Sequence, residues 1–232
     1  MAVLAALLLL GAASNTLAGG NVLPPGSHAL GKSYTEWNVA WWQWALSLPV
    51  DGHPFNDTPD FDVTEGQSGH VWFLATPVTG TPVVRHCVIP ADKALFIESL
   101  TSEWSSLEGY LTEADQRAAA DWYAQHMHSL YFKIDGKPLH NIGDYLVSSP
   151  QFDFTAPSPW IFGDTGGTGT TVGEGYCFLV APLSVGRHTI QYGGAFHFSV
   201  AEGDPFDWDA QVDMTYNLNV TANHHDGNCS AD

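Results

Sequence analysis

Between residues 70 and 221 the chain keeps returning to a period of two. The runs "HVWFLATPV" (70–78), "VVRHCVI" (83–89) and "ALFIESL" (94–100) are rich in β-branched and aromatic residues and are separated by short turn-forming clusters. Such spacing puts successive side chains on opposite faces of a sheet. "DYLVSSPQFDFT" (144–155), "YCFLVAPL" (176–183), "RHTIQYGG" (187–194) and "VDMTYNLNVT" (212–221) continue the pattern, and Asp135-Gly136 in "LYFKIDGKPL" predicts a tight hairpin. "GDTGGTGTTVGEG" (163–175) reads as a glycine-rich loop. The strands do not alternate with helices, which argues against a doubly wound sheet. The expectation is a mainly β chain: an antiparallel, jelly-roll-like β-sandwich with two accessory α-helices.

The first helix is predicted in "SYTEWNVAWWQWALSLP" (33–49). Ser33 and Glu36 form a capping box and Pro49 stops the helix. Trp37, Ala40, Trp41, Trp44, Ala45 and Leu48 fall on one stripe, so those indoles belong to a core; Trp42 falls off the stripe and is a candidate for exposed contact. The second helix is predicted in "TEADQRAAADWYAQHMHSL", capped by Thr112, with Ala114, Ala118, Trp122, Met127 and Leu130 facing inward. His126 and His128 would then sit about 200° apart, too far round to share a metal.

The apolar run at the N-terminus reads as a signal peptide over 1–18, with a buried helix as the alternative. A Gly/Pro linker follows (19–32), then one β-sandwich domain (33–221) and a flexible tail (222–232). The expected location is extracellular or periplasmic, with no stable membrane insertion after cleavage. Seven basic against 25 acidic residues give a net charge of −18, which repels nucleic acid and anionic lipid and suits high salt or divalent cations. Of three cysteines, Cys87 and Cys177 are the first choice for a disulfide because both lie in strand-like runs; the alternative is two buried free thiols, and Cys229 lies in the polar tail.

"WWQWALSLP", "GQSGHVWFLATP", "CVIPADKALF", "KIDGKPL", "APLSVGRHTIQYGG" and "DMTYNLNVT" occur in this order. Together they resemble a set of exported, mostly bacterial β-rich proteins of unassigned activity. The resemblance spans roughly residues 33 to 221. It implies a single exported domain of sandwich character and carries no reaction, cofactor or catalytic residue.

The sequence holds no nucleophile elbow, phosphate loop, H-E-x-x-H or CxxC. A hairpin over Pro90–Lys93 would set Arg85 opposite Glu98 as a semi-buried pair, either structural or a substrate clamp, with His86 on the opposite face. Glu103 and His70 would gather near them, and Glu98 with Glu103 would suit glycoside chemistry if held about 5–9 Å apart. "DTPDFD" (Asp57, Asp60, Asp62) and "DPFDWD" (Asp204, Asp207, Asp209) are candidate Ca²⁺ loops, the bland reading being solvated acidic turns. His224 and His225 could hold a metal loosely in the tail. Asn56, Asn219 and Asn228 open N-x-S/T sequons. Trp42, Trp104, Trp160 and Trp208 are the candidate ligand-stacking rings. The leading expectation is a protein that binds an extracellular glycan or surface polymer. The alternatives are a secreted hydrolase or lyase using Glu98, Glu103, Arg85, His86 and His70, and a Ca²⁺-stabilised surface protein.

Overall fold

The computed structural model describes residues 22–56, 62, 64–77, 79–222 and 227–231. The leader, Asp57, Asp60, His224 and His225 lie outside them. The chain is mainly β, with two helices. A short ribbon, β1 (His28–Ala29) with β2 (Lys32–Ser33), leads into α1 (Tyr34–Ser47). The capping box forms as the sequence predicts: the Ser33 hydroxyl accepts the Glu36 N–H, and the Glu36 carboxylate accepts the Ser33 N–H.

Two sheets face each other. The first runs β3 (Val71–Leu74), β5 (Ala94–Ser105), β10 (Gly167–Val180) and β8 (Leu146–Ser148), with β9 (Phe152–Ala156) also on β10. The second runs β13 (Asn228–Ala231), β4 (Val83–Pro90), β12 (Trp208–Thr221), β11 (Gly186–Phe198), β6 (Met127–Ile134) and β7 (Lys137–Pro138). Most pairs are antiparallel, but β3 with β5 and β4 with β12 are parallel. Asp135 and Gly136 both take positive φ and close the β6–β7 hairpin, the geometry such a turn demands.

Alternation along β10 defines the layers. Phe178 packs on Phe132 of the second sheet, whereas its neighbour Cys177 faces Asn38 of α1. So α1 covers the outer face of the first sheet, with Trp37, Trp41, Trp42 and Trp44 all buried. The second helix, α2 (Glu113–Gln125), is capped by Thr112 and packs on β5 and β10.

Several expectations need correction. β4 and β5 are not a hairpin: they belong to different sheets, so Arg85 does not face Glu98. The Pro90–Lys93 segment is a corner between layers. The disulfide joins Cys87 to Cys229, directly opposite each other on β4 and β13, and Cys177 is a buried free thiol. Residues 228–231 are therefore a strand rather than loose tail. Residues 167–175 of the glycine-rich stretch lie inside β10, between β5 on one side and β8 and β9 on the other. The inward residues of α2 are Gln116, Ala120 and Ala124, while Ala114 and Ala118 are exposed; the helix ends at Gln125, which puts Met127 and Leu130 in β6.

Candidate functional site

A continuous stretch of one strand lines a cavity between aromatic walls. β3 pairs with β5 only from Ala94 to Ile97, and past Leu74 the chain leaves for the second sheet. The edge of β5 from Glu98 to Trp104 is thus left without a neighbouring strand, and a cavity of about 440 Å³ runs beside it. On the α1 side Trp41, Trp42, Phe55 and Phe162 wall it; on the side between the sheets Tyr123, Phe196 and Trp104 do so. Thr76, at the crossing, donates its hydroxyl to the Glu98 carbonyl at 2.5 Å and touches the Tyr192 hydroxyl at 2.9 Å.

A bulge sets the two acidic side chains. Between the pairs Gly175–Thr101 and Cys177–Glu98, β5 contains one residue more than β10. Glu98 and Glu103, five positions apart, would point to opposite faces of a regular strand; the extra residue turns both toward α1. Their cross-strand partners confirm it. Cys177, opposite Glu98, contacts Asn38 of α1, and Gly173, opposite Glu103, lies under Trp42. A Cβ on Gly173 would sit 2.3 Å from the Trp42 Nε1, so only glycine lets that indole approach the sheet.

Both carboxyls are buried. Asn38 Nδ2 donates to Glu98 Oε1 at 2.6 Å, and the Cys177 thiol lies 3.4 Å from the same oxygen. Burial pushes Glu98 up to about 7, against the hydrogen bonds that favour its ionised form. Glu103 accepts a short hydrogen bond from the Thr171 hydroxyl. Burial, and then the negative charge of Glu108, hold Glu103 well above the usual carboxylate range. Burial also raises Cys177, with Glu98 adding to the effect, so its thiol is no nucleophile at neutral pH.

Around this cavity six buried polar atoms find no hydrogen-bond partner among the described residues: Trp42 Nε1, Glu98 Oε2, Ser99 Oγ, Ser102 Oγ, Glu103 Oε1 and Trp104 Nε1. Buried polar atoms without partners are costly, each about 1–3 kcal/mol, so six around one cavity call for an explanation.

The expected site residues separate. Glu98, Glu103, Trp42 and Trp104 meet here, Trp42 being 2% exposed rather than open to solvent. Arg85 is 3% exposed on the inner face of β4, His86 is exposed on the outer face of β4, and His70 is exposed just before β3. None of these three lines the cavity. Trp160 is buried against Phe154, and Trp208, 41% exposed, stacks on Phe196 and Phe198 elsewhere. Asp204 binds His126 and the Ser199 N–H, Asp207 the Val200 N–H, and Asp209 His197; Asp62 caps Thr64. Among the described residues no three His, Cys, Asp or Glu gather as a metal site, so Asp204, Asp207 and Asp209 do not form the expected Ca²⁺ loop. Asn38, Thr76, Ser99 and Ser102 were not anticipated. Their only sequence signal is polarity inside otherwise apolar runs.

The chain matches no protein-family model, no curated protein and no solved structure.

Proposed function

We propose that this chain is an exported binding protein whose cavity beside β5 holds an uncharged, hydroxyl-rich ligand, such as a glycan fragment of one or two sugar rings. The observation that carries the reading is the set of six unpartnered polar atoms between aromatic walls. Two indole N–H groups donate, two serine hydroxyls do either, and a protonated Glu103 donates through its carboxylic acid. A sugar's hydroxyls match such groups once side-chain rotation turns them to the cavity, and its apolar ring face suits the indoles. The volume lies within the roughly 300–1,000 Å³ of small-ligand sites. An anionic ligand would meet the Glu108 carboxylate in the same space, which favours a neutral one. Export is supported by the apolar leader and by the Cys87–Cys229 disulfide, a bond that persists in oxidising compartments.

A second reading is a hydrolase or lyase, favoured by an acid in a cavity whose pKa is about 7. Geometry weighs against a two-carboxylate mechanism. With the bulge, the Glu98 and Glu103 backbones stand four strand residues apart, as Cys177 and Gly173 do opposite them, about 13 Å. Glu103 also leans to Thr171, a neighbour of Ser105 and not of Glu98. Convergence to about 5–9.5 Å, which paired glycosidase carboxyls need, is therefore not supplied.

The test is calorimetry and thermal melting of the full chain against a panel of neutral mono- and oligosaccharides. At least one sugar is expected to raise the melting temperature by mass action, and Trp104→Ala and Ser102→Ala to weaken binding by roughly tenfold or more. If no sugar binds, or if both variants bind as well as the parent, the cavity is only a water pocket and the reading fails. Turnover of a bound sugar that is lost in Glu98→Gln establishes the second reading.

A further inference from the structure

The outward face of the second sheet presents a regular grid of polar side chains. Reading across β11, β12, β4 and β13, one row is Arg187, Asn219, Val88, Asn228 and the next is Thr189, Asn217, His86, Ser230. Three strand spacings make the grid about 14 Å wide, and its rows repeat every two residues, about 6.6 Å. A shallow groove of about 670 Å³ follows these rows.

Its chemistry is the reverse of the molecule's. The chain carries 25 acidic residues, yet among the described residues no Asp or Glu lines this groove. Asp135, beside His188 and Thr189, is engaged by the His188 ring and the Thr189 N–H. Arg187, exposed, makes no hydrogen bond or ion pair among the described residues. The side chains of Asn219, Asn228 and Ser230 are likewise exposed. Among the described residues no Trp, Tyr or Phe lines the groove, so it lacks the broad rings on which a neutral sugar face stacks. Recognition there rests on hydrogen bonds and one guanidinium, a group whose planar fork matches a carboxylate.

We propose that this face is a second docking surface, separate from the cavity, for an extended polysaccharide bearing carboxylate groups. Arg187 takes a carboxylate in its fork while the amide and hydroxyl side chains of the rows hydrogen bond to the hydroxyls of neighbouring sugar units. An extended polymer suits the site because the grid is flat and repeats, whereas a compact ligand would use one corner of it. The −18 charge opposes approach at long range, but near physiological ionic strength screening confines that repulsion to about 8 Å. The Arg187 guanidinium and the rows of amides and hydroxyls at the contact surface then decide.

The test is retention of the full chain on an immobilised polyuronate against a neutral glucan, near physiological ionic strength. The chain is expected to be retained on the polyuronate alone. Arg187→Glu is expected to weaken retention by roughly tenfold or more at unchanged melting temperature. Asn217→Asp, which keeps the side-chain shape and adds a negative charge mid-grid, is expected to weaken it as well, and covers the case in which Arg187→Glu fails to fold. Trp104→Ala, in the cavity, is expected to leave polyuronate retention intact, so the two sites fail independently. The proposal is overturned by no retention, by equal retention on neutral glucan, or by folded Asn217→Asp binding as well as the parent.

Discussion

Glu98 is an acid placed where ionisation is opposed. Its pKa in the folded chain is about 7, against 4.5 in the open chain, so the native state binds more protons than the unfolded state between those values. Stability therefore falls as pH rises through that window, by up to about 3 kcal/mol for this group. Glu103 acts in the same direction. Glu98→Gln keeps the oxygen that accepts from Asn38 and removes the charge. It is expected to melt like the parent near pH 4, to melt higher than the parent at pH 8, and so to flatten the pH profile. Parallel profiles for parent and variant would show that Glu98 does not ionise against its surroundings. Glu98 stood out in the sequence as a charge inside an apolar run, and Glu103 as an acid just beyond it. That both face one side could not be read there, because it depends on a bulge expressed only when β5 pairs with β10.

At the scale of elements, α1 was legible in its start, its stop and its core stripe, though not in the burial of Trp42. Its capping box, stop proline and three-four spacing of rings are all local, and local signals survive folding. β10 was not. Gly167, Gly169, Gly173 and Gly175 make its N-terminal half read as a glycine-rich loop, yet the reason for one of them lies across the layers. Gly173 is small because Trp42 must sit on it. Gly173→Ala is expected to push Trp42 off the sheet and lower stability by about 1–3 kcal/mol, the usual range for overpacking, while abolishing sugar binding in the cavity. Chemical denaturation with tryptophan fluorescence reads both the stability and the indole's new environment. A fully native spectrum and stability would refute the contact. The stripe of α2 was misread for a different reason: its last apolar residues, Met127 and Leu130, belong to a strand that starts two residues after the helix ends.

For the molecule as a whole, the class of fold followed from periodicity, while the partners of each strand did not. "VVRHCVI" and "ALFIESL" are four residues apart and still part company, one into each sheet. Nothing between Pro90 and Lys93 distinguishes a hairpin from a corner, and long-range pairing settles it. The disulfide was misassigned by the same blindness, since Cys229 earns a strand only by lying against β4. Because that bond closes a loop of 142 residues, its reduction is expected to cost about 2–5 kcal/mol and to lower the melting temperature measurably in the presence of a thiol. An unchanged melting curve for the reduced chain would mean that β13 contributes nothing to the fold.

The position of β4 also bears on when the protein can form. Its two neighbours in the second sheet, β12 and β13, begin at Trp208 and Asn228. A nascent chain must therefore carry Val83–Pro90 unpaired on both flanks while more than a hundred further residues are synthesised. Assembly of that layer is an event of late translation, and a ribosome stalled before Trp208 would display a sticky, aggregation-prone ribbon for a chaperone to guard.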